Sequence, residues 1–101
     1  MNEYIISPCE LKKSLENNAD IQLLDVRTPE KHANYNIGGK LIPLSELPQR
    51  LDELDPNKLI ITYCTSGGSS MTALQLLVNA GFKLVKSLDG GMTAWRMLAA
   101  L

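Results

Sequence analysis

The segment that most constrains the fold of this chain is residues 59–64, which read LIITYC. A continuous apolar and β-branched run of this length is typical of a strand buried on both faces, as the central strands of parallel sheets are. The run is interrupted by TSGGS at 65–69, and helical periodicity follows it. The sequence therefore predicts a strand, a glycine-containing loop and a helix in succession, which is a building unit of α/β proteins.

The rest of the chain repeats this alternation of short apolar runs and helical patterns. We expect the other strands at 4–6, 21–26, 41–42 and 83–88. We expect helices at 8–17, from 29 onward, and at 46–54, 71–80 and 92–101. Ser7, Pro8 and Glu10 have the spacing of a helix capping box, and Gly81 is placed to end a helix. The pattern predicts a single α/β domain over 1–101, with a mainly parallel sheet of about five strands.

Composition excludes several classes of protein. The chain has 101 residues, of which 45% are hydrophobic and 21% charged, as in soluble globular domains. Its net charge is -1, so it lacks the basic excess by which many nucleic-acid binders neutralise phosphates. No apolar run approaches the roughly 18 residues of a membrane span, and the acidic N-terminus is unlike a signal peptide. We therefore expect a cytoplasmic protein without nucleic-acid or membrane partners.

The chain has two cysteines, Cys9 and Cys64. Two are too few for a disulfide framework, so we expect free thiols in a reducing compartment, with a bond between the two as the alternative. No histidine and cysteine cluster has zinc-binding spacing, and the single histidine, His32, cannot form a metal site alone. We expect no metal.

Cys64 lies where chemistry is expected in an α/β protein. Ligands of open α/β sheets bind at the carboxyl ends of the strands, and Cys64 ends the predicted central strand. The helix that follows presents unpaired backbone N–H groups, which a loop with two glycines can turn inward as an anion cradle. Cys64 is therefore predicted to be an anionic nucleophile. The alternative is an inert buried cysteine.

Four stretches, in this order and spacing, resemble the single-domain rhodaneses of the sulfurtransferase family. They are LDVRTPE at 24–30, NIGGKLIPL at 36–44, YCTSGGSS at 63–70, and GF at 81–82 with LDGGMTAW at 88–95. The resemblance implies a rhodanese-like three-layer α/β/α fold. It also implies transfer of sulfane sulfur from thiosulfate or a persulfide donor to cyanide, a thiol or a protein acceptor. The sulfur would be carried as a persulfide on Cys64, without a metal or organic cofactor.

The resemblance also assigns roles to residues. Cys64 would be the nucleophile, and Asp25 and Arg27 would form supporting ion pairs beside it. The substrate-binding loop, through its N–H groups and hydroxyls, would be Thr65, Ser66, Gly67, Gly68, Ser69 and Ser70. The hydroxyl of Ser70 has a second possible role, as a helix cap.

The loop departs from the pattern of many relatives, which carry arginine at the positions of Thr65 and Ser69. No residue from 65 to 70 is charged here. We therefore expect weak binding of the thiosulfate dianion, and a persulfide as the better donor. Asn36 replaces the usual histidine of the family.

Three other residues receive structural rather than catalytic interpretations. His32 is expected at the surface or in packing, not as a general base. Cys9 is expected to be structural, with a thiol that resolves Cys64 as the alternative. Trp95 is expected in the core.

Two other functions compete with sulfur transfer. Related phosphatases and arsenate reductases need an arginine where this chain has Ser70, which argues against that chemistry. A non-catalytic interaction module is the alternative, although many such modules lack the cysteine that is present here.

Overall fold

The computed structural model describes residues 3–100 and contains five strands and four α-helices. The strands are β1 (Ile5–Ile6), β2 (Ile21–Asp25), β3 (Lys40–Leu41), β4 (Leu59–Tyr63) and β5 (Val85–Leu88). The helices are α1 (Pro8–Glu16), α2 (Pro29–Asn34), α3 (Gly68–Asn79) and α4 (Gly91–Ala99). The strands form one parallel sheet in the order β1-β5-β4-β2-β3. The predicted α/β fold with a parallel five-stranded sheet is confirmed.

The predicted central strand, β4, divides the core into two clusters. Because side chains alternate along a strand, Ile60 faces one side of the sheet and Ile61 and Tyr63 face the other. Residues of α3 complete the first cluster, while Leu11 of α1 and Met92 of α4 complete the second. Helices therefore cover both faces of the sheet, which gives the predicted three layers.

The predicted amphipathic helix at 46–54 is wrong. Two short 3₁₀ helices, Leu44–Gln49 and Leu51–Glu53, occupy this region. Pro48 lies inside the first of them, where it has no N–H to donate and its ring disfavours the α conformation of the residue before it. Leu47 and Leu54 are nevertheless buried. The leucine spacing predicted burial correctly but not the type of helix.

The other elements agree with the prediction to within a few residues. The third strand lies at Lys40–Leu41 rather than 41–42, and α3 begins at Gly68 rather than at 71. The capping box of α1 is formed, since the N–H of Glu10 donates to Ser7 Oγ at 3.1 Å. Gly81 ends α3 with a φ of 100°, as its position predicted. The predicted end of the last helix, Leu101, lies outside the described residues.

None of the helices within residues 3–100 has the length and apolar character needed to cross a membrane.

Candidate active site

The carboxyl ends of β2 and β4 bring the predicted site residues to one edge of the sheet. The two strands are parallel neighbours, and Asp25 pairs with Tyr63 in their register. A hydrogen bond of 3.1 Å from the N–H of Val26 to the carbonyl of Tyr63 continues the pairing beyond the strand ends. The segment after β2 and the loop after β4 therefore lie side by side, as expected for a site at the carboxyl end of a parallel sheet.

Two backbone N–H groups point at the sulfur of Cys64. The N–H of Gly67 donates to Sγ at 3.1 Å, and the N–H of Ser70 donates at 3.3 Å. Both belong to the start of α3, where backbone N–H groups have no carbonyl partner within the helix. Gly67 caps this helix with a φ of 109°, a conformation that favours glycine. Two N–H groups at the start of α3 are therefore directed at Cys64 Sγ, where the cradle was predicted from the two glycines.

Cys64 opens onto a cleft of about 420 Å³. Four of the six predicted loop residues line it, namely Thr65, Ser66, Gly68 and Ser69. The opposite wall comes from segments that follow β2 and β3, and includes Val26, Arg27, Thr28, Lys31, Pro43, Leu44 and Ser45. The loop thus divides into residues that hold the sulfur through backbone N–H groups and residues that line the cleft.

The hydroxyl of Ser70 does not line this cleft. It is fully buried, donates to the carbonyl of Gly67 at 3.1 Å and lies 2.7 Å from the hydroxyl of Ser87 on β5. The hydroxyl of Thr62 donates to the carbonyl of Ser70 at 2.9 Å. The N-cap of α3 is Gly67, so Ser70 does not cap the helix either. Instead, Ser70 ties the first turn of α3 to the sheet. Ser87 was not identified from the sequence, because only the fold brings β5 behind this loop.

Asp25 accepts four hydrogen bonds and is fully buried. Arg27 donates three of them, from its backbone N–H at 3.0 Å and from Nε and Nη2 at 2.9 and 2.8 Å. His32 Nδ1 lies 2.8 Å from Asp25 Oδ2, the oxygen that also accepts from Arg27 Nη2, and donates the fourth, because an ionised carboxylate only accepts. Burial raises the pKa of Asp25, but the hydrogen bonds from Arg27 and His32 outweigh burial and bring the pKa below its usual value.

This geometry supports a structural role for Asp25, Arg27 and His32. The guanidinium of Arg27 also donates to the carbonyl of Tyr35 at 2.6 Å and lies 5.5 Å from the centre of the Tyr63 ring. His32 was expected in packing or at the surface. It is partly exposed, and its bond to Asp25 was missed because residues 25 and 32 lie in different elements. The hydroxyl of Tyr63 donates to the carbonyl of Gly38 at 3.0 Å, and burial raises the pKa of Tyr63 to about 12.

The first turn of α4 packs directly against the loop that follows β4. The N–H groups of Met92 and Thr93 donate to the carbonyls of Cys64 and Thr65 at 2.8 and 2.9 Å. A side chain at Gly91 would clash with the same two carbonyls, and Gly91 has a φ of 58°. In the sequence these residues were recognised only within the stretch 88–95 that resembles the rhodaneses, and they were assigned no role at the site. The structure makes Gly91 a contact that positions Cys64.

The remaining candidates lie away from the sulfur cradle or support the fold. Cys9 is exposed in the first turn of α1, and both cysteines are free, as expected. Trp95 packs against the second core cluster, as expected. Asn36 closes the loop before β3, since its side chain donates to the carbonyl of His32 and accepts from the N–H of Gly38, both at 2.8 Å. Within residues 3–100, no group of three or more His, Cys, Asp or Glu side chains is arranged to hold a metal ion.

The fold and the site define an α/β domain with a cysteine held at the start of a helix, at the carboxyl edge of a parallel sheet. The chain belongs to the rhodanese family, because the model of the Rhodanese-like domain matches residues 7–98. It is 35% identical to the putative sulfurtransferase YtwF of Bacillus subtilis, over 89% of this chain and 87% of that protein. It is 39% identical to the thiosulfate sulfurtransferase GlpE of Stutzerimonas stutzeri, over 78% of this chain and 73% of that protein.

Solved structures agree with this assignment. The rhodanese-like domain of an Anabaena protein superimposes with a TM-score of 0.86 and 27% identity, over 97% of this chain and 76% of that chain. A rhodanese-like domain protein from Staphylococcus aureus gives a TM-score of 0.80 and 32% identity, over 90% of this chain and 89% of that chain. At the level of the family, the chain is therefore a rhodanese-type protein with relatives that are named sulfurtransferases.

Proposed function

We propose that this protein is a sulfurtransferase that takes up sulfane sulfur on Cys64 and passes it to a thiophilic acceptor. The observation that carries the proposal is the pair of N–H groups, from Gly67 and Ser70, that donate to Cys64 Sγ at 3.1 and 3.3 Å beside an open cleft. Donors held in this geometry stabilise a thiolate and, after sulfur uptake, negative charge near the same position. The names of the relatives support the same chemistry.

In the first half-reaction, the Cys64 thiolate attacks the outer sulfur of the donor. With thiosulfate, a new S–S bond forms to Cys64, the S–S bond of thiosulfate breaks, and sulfite leaves with the electron pair. In the second half-reaction, cyanide or a thiolate attacks the outer sulfur of the Cys64 persulfide. The bond to Cys64 breaks and the thiolate is regenerated. Electrons balance over the two steps, so the proposal includes no metal, organic cofactor or external oxidant.

A persulfide is the proposed favoured donor. Thiosulfate is a dianion, and the loop from 65 to 70 has no charged side chain to pair with it. Backbone N–H groups and hydroxyls remain as its donors there, and these neutral groups are weaker partners than a guanidinium. A persulfide carries less charge, and its outer sulfur fits the same cradle.

Intact-protein mass spectrometry tests the proposal. Wild-type protein is incubated with thiosulfate and, separately, with a small-molecule persulfide, next to Cys64→Ser and the matched control Cys9→Ser. We expect wild type and Cys9→Ser to gain the mass of one sulfur atom, more completely with the persulfide. Cys64→Ser gains none, and its turnover falls by about three orders of magnitude or more because the nucleophile is lost.

Either of two results contradicts the proposal. Sulfur uptake by folded Cys64→Ser would remove Cys64 from the reaction. No uptake by wild type with either donor, while Cys64 remains titratable as a thiol, would favour a non-catalytic interaction module.

A reducing, cytoplasmic setting is part of the proposal. It is supported by the free thiols of Cys9 and Cys64, since free thiols persist where glutathione and thioredoxin keep them reduced. The sulfur donor and the acceptor are then small molecules or proteins of that compartment, and no nucleic acid or membrane takes part.

A further inference from the structure

A second cleft, of about 190 Å³, adjoins the cleft at Cys64. It lies between α2 and the first turns of α4, and its lining residues are Arg27, Lys31, Asn34, Thr65, Met92, Thr93 and Arg96. Arg27, Lys31 and Thr65 line both clefts, so the clefts adjoin and share part of their walls, as two parts of one surface depression. Thr65 follows Cys64 directly in the chain and separates the sulfur from the second cleft.

The charged side chains around this depression are all positive. They are Arg27, Lys31 and Arg96, and no aspartate or glutamate is among the described residues that line either cleft. The net charge of the chain is -1, so this positive region is a local feature and not a consequence of composition. An anion that enters either cleft meets cations without a competing carboxylate on the walls.

Two of these cations have no acidic partner among the residues that the structure describes. Arg27 is engaged with Asp25, but Lys31 and Arg96 form no ion pair within residues 3–100. The guanidinium of Arg96 lies 4.4 Å from the centre of the Tyr35 ring, and this contact holds it at the cleft. A guanidinium held in this way presents planar donors that match a carboxylate.

We propose that the second cleft binds the carboxylate of a small-molecule thiol that accepts sulfur from Cys64. The inference rests on the proposed sulfurtransferase function. Thiosulfate carries its charge on the transferred sulfur and on oxygens two bonds from it, so its charge does not extend far enough to require the second cleft. A thiol whose carboxylate lies several bonds from the sulfur can span both clefts. Lys31 and Arg96 bind the carboxylate, and the thiolate reaches the outer sulfur of the persulfide across Thr65.

Single-turnover transfer from preloaded protein tests the inference. Cys64 is loaded with sulfur and mixed with a subsaturating concentration of 3-mercaptopropionate, 2-mercaptoethanol or cysteamine, which are anionic, neutral and cationic at the far end. Each thiol is compared between wild type and variants, so its intrinsic reactivity cancels. The variants are Lys31→Gln and Arg96→Gln. The charge-matched control is Lys12→Gln, which changes an exposed side chain of α1 that lines neither cleft.

The expected result is a loss that is selective for the anionic thiol. Each cleft variant lowers the rate with 3-mercaptopropionate relative to the rate with 2-mercaptoethanol by about two- to fivefold, the range of exposed ion pairs. Lys12→Gln changes neither rate. Equal losses with the neutral and anionic thiols, or no loss with either, would overturn the inference.

A second measurement separates this inference from the sulfurtransferase proposal. Cys64 is modified, in a Cys9→Ser background, by 2-carboxyethyl methanethiosulfonate and by its 2-hydroxyethyl analogue, which need no sulfur transfer. We expect Lys31→Gln and Arg96→Gln to lower the rate ratio of anionic to neutral reagent by about two- to fivefold. If the variants lower the ratio but the protein takes up no sulfur, the anion site is supported and the sulfurtransferase proposal fails. An unchanged ratio in protein that does take up sulfur overturns the anion site alone.

Discussion

The segments that follow β2 and β4 lie side by side at one edge of the sheet and stabilise polar groups in opposite ways. After β2, a buried carboxylate is surrounded by charged and polar side chains, with Arg27 and His32 donating to Asp25. After β4, no side chain from 65 to 70 is charged, and backbone N–H groups donate to the sulfur of Cys64. One segment neutralises its own charge with side chains, and the other holds a sulfur atom with backbone N–H groups.

This difference explains why the conspicuous ionic cluster is not where we place the chemistry. Asp25 already accepts four hydrogen bonds, which leaves it poorly placed to take a proton from a substrate. In the neutral loop two backbone N–H groups converge on one atom, Cys64 Sγ, and Cys64 borders an open cleft. A charge-based search of the sequence would select the cluster after β2, whereas backbone geometry selects the loop after β4.

The largest expected effect on stability comes from breaking the charged segment. Asp25→Asn leaves the buried guanidinium of Arg27 without its counter-charge, which is expected to lower the free energy of unfolding by about 3–5 kcal/mol. Urea denaturation measures this loss.

The matched control is Asp20→Asn, which removes a carboxylate from an exposed pair with Lys58. This substitution is expected to lower the free energy of unfolding by about 1 kcal/mol or less. If the two substitutions lower the free energy of unfolding equally, the ion pair between Asp25 and Arg27 does not stabilise this edge of the sheet as described.

The next effect comes from displacing the neutral loop without changing any charge. Gly91→Ala introduces a methyl group against the carbonyls of Cys64 and Thr65, at a positive φ. We expect a loss of about 2 kcal/mol or more in stability, together with slower sulfur uptake on Cys64.

The control is Gly81→Ala, which has a φ of 100° but open space around the added methyl group. We expect Gly81→Ala to lower the free energy of unfolding by the backbone strain alone, about 1–2 kcal/mol, and to leave sulfur uptake unchanged. Equal sulfur uptake by the two variants would mean that α4 does not position the loop.

A smaller effect is the response of the charged segment to acid. The pKa of Asp25 lies below its usual value, so its stabilising contribution is complete above the pKa of an unfolded aspartate, about 3.9, and is lost as the pH falls through the folded pKa. Unfolding of wild type and Asp25→Asn is measured between about pH 5 and about pH 2. We expect their difference in unfolding free energy to shrink as the pH falls.

Other carboxylates do not affect this comparison, because both proteins contain them. Glu53 is an example, since hydrogen bonds from Arg50 lower its pKa to about 2. A difference between wild type and Asp25→Asn that stays constant with pH would contradict the direction of the Asp25 shift.

The smallest expected effect comes from adding a charge to the neutral segment. Ser69 is exposed and lines the cleft at Cys64, so Ser69→Arg is expected to lower the KM for thiosulfate by about two- to fivefold. Ser69→Gln, which extends the side chain without charge, is the control. An unchanged KM in Ser69→Arg would show that cations of the opposite wall already meet the charge of thiosulfate.

The sequence predicted those features that depend on neighbouring residues. The capping box of α1, the end of α3 at Gly81 and the strand that leads into Cys64 each follow from a short segment, and each is present. The helix at 46–54 was wrong because the leucine spacing was given more weight than Pro48. The cations of the second cleft were out of reach, since Lys31 and Arg96 belong to separate helices that only the fold brings together.

The contact between α4 and the loop after β4 has a consequence for the order in which the protein forms. During synthesis Cys64 leaves the ribosome before Met92 and Thr93, whose N–H groups bind the carbonyls of Cys64 and Thr65. Until α4 docks, those carbonyls lack their partners and the loop lacks the contact that fixes it. In a nascent chain the loop at Cys64 therefore stays unorganised until Met92 and Thr93 have been added, so α4 completes a site whose cysteine was made earlier.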